Sequence, residues 1–516
     1  MNKPRNIFNK NRNYILIYII CLIFFTFYQC YFYGNFGTVN REIGIFIILT
    51  IVGVFCLTYN SLNRNKIYKV AFVIIILFGI ITLLLSPLLI GCDESEHLNR
   101  AELTSLGVIN PQYTSINNHT GYKVEHFCSH LTGTSRFNTV FSTNWDDEKI
   151  DKSIILQKSA FAHNPFYAYL AQGFGIWLAK ELNLNSIWIL WLGGIFNLLM
   201  YATVSSYAIK KTPILKTPML LIACLPFAVY QGTTVSSDSF VNCFSLLLMA
   251  YFFFMYKADE NSLSIKNSLI FMVLCISVGF LKPPLLLLIF LILLVPKDNF
   301  KNKNTYNLGL ILILVVFIIG GIWNIFYAMP QSMHSFRGPR AKSLPVDAKL
   351  QLKFLLGNIN HILIIFKNIL SQTWYVIRDI FRFADWQGTQ LYSSTLMAMI
   401  FSVYYLIISL ISPEDYKLSN KRRINGIIIF LIIYFAFFIV QYLTWSRVGQ
   451  LKVTGVQGRY FIPLLALIPF ILNINNKTTK TRLKPLINKD KLKDLTVLIA
   501  IILLGFLQIL TVGVFY

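Results

Sequence analysis

Long apolar stretches alternate with short polar segments along almost the whole chain of 516 residues. Many of these stretches approach or reach roughly 17–25 residues, the length that crosses a bilayer as an α-helix. The pattern predicts an all-α, polytopic integral membrane protein with about 13 transmembrane helices. The predicted spans are 14–34, 43–61, 69–91, 186–208, 216–232, 240–256, 268–281, 284–296, 308–328, 390–412, 424–445, 460–474 and 495–515.

Three stretches do not follow the simple pattern. The apolar and aromatic segment 163–182 begins near Pro165, and we predict that it is a helix lying on the outer leaflet. The amphipathic segment 347–380 is also predicted to be interfacial, with an extra span or a re-entrant helix as open alternatives. The two short spans around Lys282-Pro283-Pro284 are either two crossings or a broken pair that meets at the Pro-Pro turn.

The net charge of +24 comes mainly from Lys and Arg in short loops between apolar stretches. This distribution is typical of membrane proteins, in which positively charged loops stay in the cytoplasm, and it argues against nucleic-acid binding. It predicts a multi-pass protein of the cell membrane with a cytoplasmic N-terminus. Residues 92–163, 329–389 and 446–458 are then outside the cytoplasm, and 477–493 are inside.

The spans group into three regions. Residues 1–68 form an N-terminal two-helix addition, 69–474 form the main membrane domain, and 475–516 contain a basic cytoplasmic loop and the last span. The main domain carries both large outer loops. The first of these, 92–163, contains nine acidic residues and five of the seven histidines of the chain.

The most informative segment is GCDESEHLNRAE at 91–102, directly after the third apolar stretch. Ionisable groups next to a membrane span are costly, so they often mark a site or a pathway. A solvated flank that ends the helix is the simpler interpretation, but Asp93 and Glu94 followed by His97 and Arg100 favour a site. A disulfide with Cys128 is an open possibility for Cys92, which lies in the same segment.

Further polar residues recur at span ends on the predicted outer side. Acids can transfer protons, and Arg and Lys bind phosphate, so the set predicts a site for a phosphorylated, membrane-borne substrate. Helix capping by Asp238 and snorkelling of Lys282 to the interface are the competing interpretations. The additional candidates for substrate binding are Asp238, Lys282, Arg337, Arg340, Gln457, Arg459 and Tyr460.

These segments, taken in order, resemble a known family. The Asp-Glu-x-x-His loop, NPFYAYLAQ, PFAVYQGTTVSSDS, LKPP and GVQGRYFIP are similar to the bacterial predicted membrane proteins grouped as domain of unknown function 2142. That group in turn resembles the GT-C superfamily of integral-membrane glycosyltransferases. The resemblance covers about residues 69–474 and leaves the first two spans as an addition.

The resemblance to GT-C enzymes implies a glycosyltransferase that works outside the cytoplasm. The donor would be a sugar on polyprenyl phosphate, and the acceptor a cell-surface polysaccharide or a teichoic-acid-like glycan. By the same resemblance Asp93 is the catalytic base, Glu94 is its partner, and 163–182 is the surface helix. Asp93, Glu94 and His97 are possible ligands of a divalent metal, Mg or Mn, which the sequence leaves undecided.

Other function classes stay open at this point. A polysaccharide polymerase or ligase also places an acid and basic residues on the outer face of the membrane. A transporter or flippase of a lipid-linked glycan would instead carry polar residues near the middle of several spans, often with internal repeats. The spans here are apolar and their polar groups lie at the ends, which favours chemistry at the membrane surface.

Overall fold

The computed structural model describes residues 4–32, 39–116, 118–126, 149–334, 342–343, 345–382, 395–474 and 488–516. Over these residues the chain is mostly helical, as the apolar pattern predicted. Arg337, Arg340 and Cys128 lie outside the described residues, and so do the predictions that depend on them.

Eight helices of the described chain are long and apolar enough to cross a membrane. At a rise of about 1.5 Å per residue, 20 residues cover roughly the 30 Å of the hydrocarbon core. In chain order these are α1 (Pro4–Phe32), α2 (Val39–Leu62), α3 (Ile67–Leu85), α6 (Ile187–Lys211), α9 (Asp238–Lys257), α11 (Lys303–Ser332), α15 (Asn420–Trp445) and α17 (Lys489–Phe515).

The remaining helices are shorter. Their bounds are α4 (Glu94–Ser105), α5 (Leu170–Glu181), α7 (Lys216–Ala223), α8 (Pro226–Thr233), α10 (Ile265–Gly279), α12 (Ala348–Leu356), α13 (Ile359–Ile380), α14 (Thr395–Ile411) and α16 (Leu467–Leu472). Five 3₁₀ helices complete this set in the described residues, at Arg64–Lys66, Phe166–Tyr169, Pro283–Leu294, Lys297–Asn299 and Gly458–Leu464.

The predicted number of 13 spans is therefore not confirmed. The five predicted spans without a long helix are 216–232, 268–281, 284–296, 390–412 and 460–474. Proline explains three of these differences, because it removes a backbone donor and interrupts a helix. Pro226 separates α7 from α8, the Pro-Pro turn starts a 3₁₀ helix, and Pro463 lies inside another. Hydropathy does not report these breaks, whereas the Pro-Pro turn had indicated one of them as an alternative.

The segment predicted as interfacial at 347–380 is a bent pair of helices. α12 and α13 meet at an angle of 109°, which is the geometry of a broken span or a re-entrant loop. One face of α13 packs through Ile365 and Ile369, and Ile359, Leu363 and Leu370 on it are exposed. An exposed apolar face of this kind suits a lipid environment.

A small antiparallel sheet was not predicted from the sequence. Its strands β1 (Thr114–Ile116), β2 (His119–Glu125) and β3 (Ile154–Gln157) lie in the order β1-β2-β3. Thr114 pairs with Gly121, and Tyr122 pairs with Gln157. The sheet belongs to the acidic segment that follows α4.

The helix α5 lies close against α6. A Cβ atom at Gly175 of α5 would be only 2.3 Å from the backbone oxygen of Leu192, so only glycine permits this approach. α5 has 12 residues and, at about 1.5 Å per residue, is too short to cross the bilayer. α5 lies within the segment 163–182, which was predicted to be a surface helix.

The two ends of the chain pack together. In α1, the Tyr18 hydroxyl donates to the Leu49 oxygen of α2 at 2.8 Å. The rings of Phe25 and Phe506 are 4.3 Å apart, which brings α17 against α1. The first two helices and the last one thus form one layer beside α3.

Candidate functional site

The site begins where the chain turns between α3 and α4. α3 ends at Leu85, and α4 starts directly after Asp93. Asp93 has a left-handed backbone with φ of 57°, a conformation that Asp tolerates better than most residues. Its backbone oxygen accepts hydrogen bonds from the amides of Glu96 and His97 at 3.1 and 3.0 Å. The turn therefore fixes the Asp93 side chain at the N-terminus of α4.

Four charged side chains from distant parts of the sequence meet at this turn. Arg459 Nη2 lies 2.7 Å from Asp93 Oδ2, and Arg459 Nη1 lies 3.0 Å from Asp238 Oδ2. Lys282 Nζ lies 3.1 Å from Asp238 Oδ1. The charges alternate in the order Asp93, Arg459, Asp238, Lys282, and we call these residues the charge chain.

The exposure of the charge chain differs from one end to the other. The side chains of Arg459 and Asp238 are 4% and 6% exposed, whereas those of Lys282 and Asp93 are 23% and 36% exposed. A substrate can therefore reach the two terminal members, while the two central members are enclosed. One acid and one cation of the charge chain are thus partly accessible.

The position of Asp238 is fixed by its neighbours. Gln231 Nε2 donates to Asp238 Oδ2 at 3.1 Å, and Asn242 Nδ2 donates to Gln231 Oε1 at 2.8 Å. The Asp238 amide donates to Ser236 Oγ at 3.2 Å. Asp238 is the first residue of α9, but its carboxylate binds cations and Gln231 rather than acting only as a helix cap.

Tyr460, which follows Arg459 in the chain, is an aromatic partner of both cations of the charge chain. Lys282 Nζ lies 4.6 Å from the centre of the Tyr460 ring, and Arg459 Cζ lies 5.6 Å from it. Both distances are within the range of cation–π attraction. Arg459 Nη1 also donates to the Cys92 oxygen at 3.3 Å. Gln457 Oε1 is buried and has no hydrogen-bond partner among the described residues.

Gly458 allows this segment to touch α13. A Cβ atom there would lie 2.5 Å from the amide nitrogen of Ile380 and 2.6 Å from the carbonyl carbon of Asp379. These are backbone atoms, which cannot move away alone. The close contact sets the position of the 3₁₀ helix that carries Arg459.

Glu94, predicted to be the partner of Asp93, is bound by backbone amides in the structure. Its Oε1 accepts from the Val235 amide and its Oε2 from the Gly91 amide, both at 2.9 Å. Burial raises the pKa of Glu94, and these two hydrogen bonds oppose that rise. Glu94 therefore joins the turn before α4 to the segment before α9. The two side chains diverge because Asp93 has a left-handed backbone, whereas Glu94 is the first residue of α4.

His97 and Arg100 also face inwards. His97 Nδ1 is 2.6 Å from the Tyr169 hydroxyl, and its ring stacks on Phe161 at 3.9 Å. Burial lowers the pKa of His97 to about 4 against the opposing charges of Asp238 and Asp93.

Arg100 is completely buried. Its Nε donates to the Asn164 oxygen at 2.9 Å, Nη1 donates to Thr104 Oγ1 at 2.8 Å, and Nη2 donates to the Ile109 oxygen at 3.3 Å. The prediction that Arg100 contacts a substrate is at odds with this arrangement, in which it holds the loop around α4 together.

The residues considered for a metal do not form a ligand set. Both oxygens of Glu94 accept backbone hydrogen bonds, His97 is joined to Tyr169, and Asp93 is joined to Arg459. Within the described ranges no group of three or more His, Cys, Asp or Glu side chains has a geometry that could hold a metal ion. We assign no role to Mg or Mn.

The sequence analysis did not single out Tyr169, Asn164 or Gln231, which support the site. Tyr169 accepts a hydrogen bond from Asn164 Nδ2 at 2.9 Å while contacting His97. Asn164 and Tyr169 lie in NPFYAYLAQ, and Gln231 lies in PFAVYQGTT. Polar residues inside otherwise apolar and aromatic motifs were the available signal for them.

The chain belongs to the family described as predicted membrane protein (DUF2142), whose model matches residues 76–468. The match includes all four members of the charge chain and leaves out α1, α2 and α17. No curated protein and no solved structure shows a significant match.

Proposed function

We propose that this member of the DUF2142 family is a membrane glycosyltransferase. It would move a sugar from a polyprenyl-phosphate donor to a cell-surface polysaccharide or teichoic-acid-like acceptor on the extracytoplasmic face. The observation that carries the proposal is the charge chain, which presents a partly exposed carboxylate, Asp93, and a partly exposed cation, Lys282, around the enclosed pair Arg459 and Asp238. These are the two kinds of group that sugar transfer from a lipid phosphate requires.

In this proposal Asp93 is the general base. The acceptor hydroxyl oxygen attacks the anomeric carbon while the bond from that carbon to the donor phosphate breaks. The hydroxyl proton passes to the Asp93 carboxylate, and polyprenyl phosphate leaves with the bonding electron pair. A positioned base contributes typically ~10²–10⁴-fold to such a reaction. Asp93 has the exposure for this role, because its side chain is the most open of the charge chain.

The cations have different roles. Arg459 is 4% exposed and already lies between two carboxylates, so its main task is to position Asp93 and to supply positive charge to the site. Lys282 is more exposed and has an ammonium group with three donors, of which one faces Asp238. Lys282 is therefore the group that we assign to the leaving phosphate, where positive charge stabilises the developing negative charge. Of the two basic candidates Arg459 and Lys282 that were proposed for substrate binding from the sequence, this assignment gives the phosphate to Lys282.

The charged residues at the two ends of α3 and α9 support the proposed orientation in the membrane. α3 begins next to Arg64 and Lys66 and ends before the site, and α9 begins in the site at Asp238 and ends at Lys257. Because positive loops favour the cytoplasm, this arrangement supports our proposal that the charge chain is on the outer side. Labelling of single cysteines from outside the cell tests this orientation. We expect reaction at Asn118→Cys and none at Lys484→Cys, and the reverse pattern would overturn the outer site.

Genetic complementation tests the activity. A strain lacking the protein is complemented with the parent, with Asp93→Asn, or with Asp151→Asn. Asp151 is an exposed acid of the same polar region and serves as the matched control. The parent and the control should restore the missing sugar in the cell-surface glycan, and Asp93→Asn should not, although it inserts into the membrane. Full restoration by Asp93→Asn would exclude Asp93 as the base.

The alternatives differ in their products. A polymerase or ligase would change the length or attachment of a glycan without loss of one sugar type. A transporter or flippase would move an intact lipid-linked glycan across the membrane and form no glycosidic bond. The sugar composition and the chain length of the surface glycan separate these outcomes.

A further inference from the structure

A cavity with two lysines at its mouth lies at the other end of α3, away from the charge chain. Its volume is about 360 Å³, and it is formed by the ends of α2, α3 and α6. Lys69 and Leu85 are separated by roughly 24 Å of helix at 1.5 Å per residue, so this cavity is distinct from the turn at Asp93. The residues that line it are Tyr59, Tyr68, Lys69, Phe72, Val73, Thr203, Ser206, Tyr207 and Lys210.

The spacing of these residues shows that two helix faces build the cavity. Lys69, Phe72 and Val73 have the i, i+3, i+4 spacing of one face of α3. On α6, the residues Thr203, Ser206, Tyr207 and Lys210 follow the i, i+3, i+4, i+7 spacing. Each face carries a lysine at the helix end and apolar or hydroxyl groups further inwards. The cavity is thus charged at its mouth and less polar in depth.

The mouth is positively charged without a compensating acid. Lys69 and Lys210 are exposed and both line the cavity, and none of its described lining residues is acidic. Lys210 Nζ lies 5.6 Å from the centre of the Tyr68 ring, which holds the ammonium group at the edge of the cavity. A negatively charged ligand would therefore be attracted to this mouth.

A buried polar atom deeper in the cavity is unpartnered. Ser206 is 7% exposed, and its Oγ has no hydrogen-bond partner within the described part of the chain. A buried hydroxyl without a partner has a free-energy cost of about 1–3 kcal/mol, which a ligand oxygen would remove. This hydroxyl is a second observation, independent of the lysines, that indicates a polar ligand.

We propose that this cavity binds the headgroup of an anionic phospholipid. Lys69 and Lys210 contact the phosphate, the Ser206 hydroxyl donates to a phosphate or ester oxygen, and Phe72 and Val73 contact the first part of an acyl chain. Basic pockets between transmembrane helices bind anionic headgroups in this way, and tyrosine is enriched at the same depth of the membrane. The site is independent of the sugar-transfer proposal, because it shares no residue with the charge chain.

The test measures phospholipid binding to the purified full-length protein by native mass spectrometry. The probes are phosphatidylglycerol, phosphatidylcholine and soluble glycerol phosphate. We expect the parent to bind phosphatidylglycerol more tightly than phosphatidylcholine and glycerol phosphate not to compete. Equal binding of the two lipids would overturn the proposal, and competition by glycerol phosphate would replace the lipid by a soluble phosphate ligand.

Variants locate the binding. In Lys69→Gln/Lys210→Gln the affinity for phosphatidylglycerol should fall on the order of tenfold or more, because each cation near the surface contributes about 1 kcal/mol. The matched control Lys257→Gln/Lys266→Gln removes two exposed lysines at other helix ends and should bind like the parent. Thr203→Trp fills the cavity without a change of charge and should also weaken binding. Equal weakening in the control pair would mean that general surface charge, rather than this cavity, attracts the lipid.

Discussion

Arg459 and Asp93 are 366 residues apart in the chain, and their side chains meet at 2.7 Å. This contact joins the 3₁₀ helix Gly458–Leu464 to the N-terminus of α4. It also gives the exposed carboxylate a fixed direction, because the guanidinium is held from its other side by Asp238 at 3.0 Å. Arg459 thereby links the reactive acid to the interior of the protein.

Two replacements of Arg459 distinguish the loss of its positive charge from the loss of its paired hydrogen-bond donors. Arg459→Ala leaves Asp238 buried beside a single cation, and loss of one partner from a buried ion pair costs roughly 3–5 kcal/mol. We expect this variant to be strongly destabilised. Arg459→Lys keeps the charge but not the paired donors that reach both carboxylates, so it should fold and transfer sugar at least about tenfold more slowly.

The measurements for Arg459 are the thermal unfolding temperature and the transfer rate. The control is Arg447→Lys, an exposed arginine in the same region of the sequence. A normal transfer rate in Arg459→Lys would mean that the orientation of Asp93 by the guanidinium is unimportant.

Lys282 is expected to affect the donor more than the fold. Its side chain is 23% exposed and its ion pair with Asp238 lies at the open end of the charge chain. Lys282→Gln should therefore unfold near the parent temperature and lose at least about tenfold in kcat/KM for the lipid donor, which is about 1.4 kcal/mol. A steady-state titration with donor measures this effect. Loss of stability without loss of donor turnover would assign Lys282 to structure only.

Gly458 tests the contact between the site and α13. Gly458→Ala places a Cβ atom 2.5 Å from a backbone nitrogen, so α13 or the 3₁₀ helix must shift. Overpacking of this kind typically costs about 1–3 kcal/mol, and transfer should fall with it. Gly321→Ala is the matched control, because a Cβ atom at Gly321 meets nothing within 4 Å. Thermal unfolding of both variants should show a loss only for Gly458→Ala.

His97 should make the protein sensitive to acid. Burial lowers its pKa to about 4, so the folded protein keeps His97 neutral while the unfolded chain binds a proton below about pH 6.5. Stability from this group is intact above pH 6.5 and decreases as the pH falls towards 4. Glu94 has a raised pKa and contributes in the opposite direction, because its folded form binds a proton more readily.

The contribution of His97 to the pH dependence of stability is therefore obtained by comparing the parent with a variant that lacks the imidazole. Unfolding temperatures of the parent and of His97→Gln are compared from pH 4 to pH 7, and the other groups largely cancel. The variant should lose less stability than the parent on acidification. Parallel curves for the two proteins would contradict a neutral, buried His97.

Much of the helical architecture follows from the sequence, because each of the eight long helices coincides with a predicted apolar span. The broken segments could not be counted from hydropathy. Leu285 to Leu294 is as apolar as any span, yet the Pro-Pro turn before it starts a 3₁₀ helix of 12 residues. Hydropathy measures which solvent a segment prefers, whereas proline decides which hydrogen bonds its backbone can make.

The candidate site, like the fold, could be predicted only in part from the sequence. Position at the ends of apolar stretches singled out Asp93, Asp238, Lys282 and Arg459, which the structure brings into one charge chain. The direction of a side chain at a helix start depends on local backbone angles. The left-handed turn at Asp93 directs its carboxylate to Arg459 and leaves Glu94 facing the Val235 amide. The sequence shows that Asp93 and Glu94 are adjacent acids, but it does not show that their side chains point in different directions.

The most direct test of the account is sugar transfer by the purified protein in lipid vesicles. A labelled polyprenyl-phosphate sugar and the surface glycan acceptor are supplied, and both the glycosylated acceptor and the released polyprenyl phosphate are measured. The account predicts equal amounts of the two products with the parent, and a loss of about 10²–10⁴-fold with Asp93→Asn, the effect typical of a general base. Transfer by Asp93→Asn at the parent rate, or movement of the intact donor across the membrane without a glycosylated product, would contradict it.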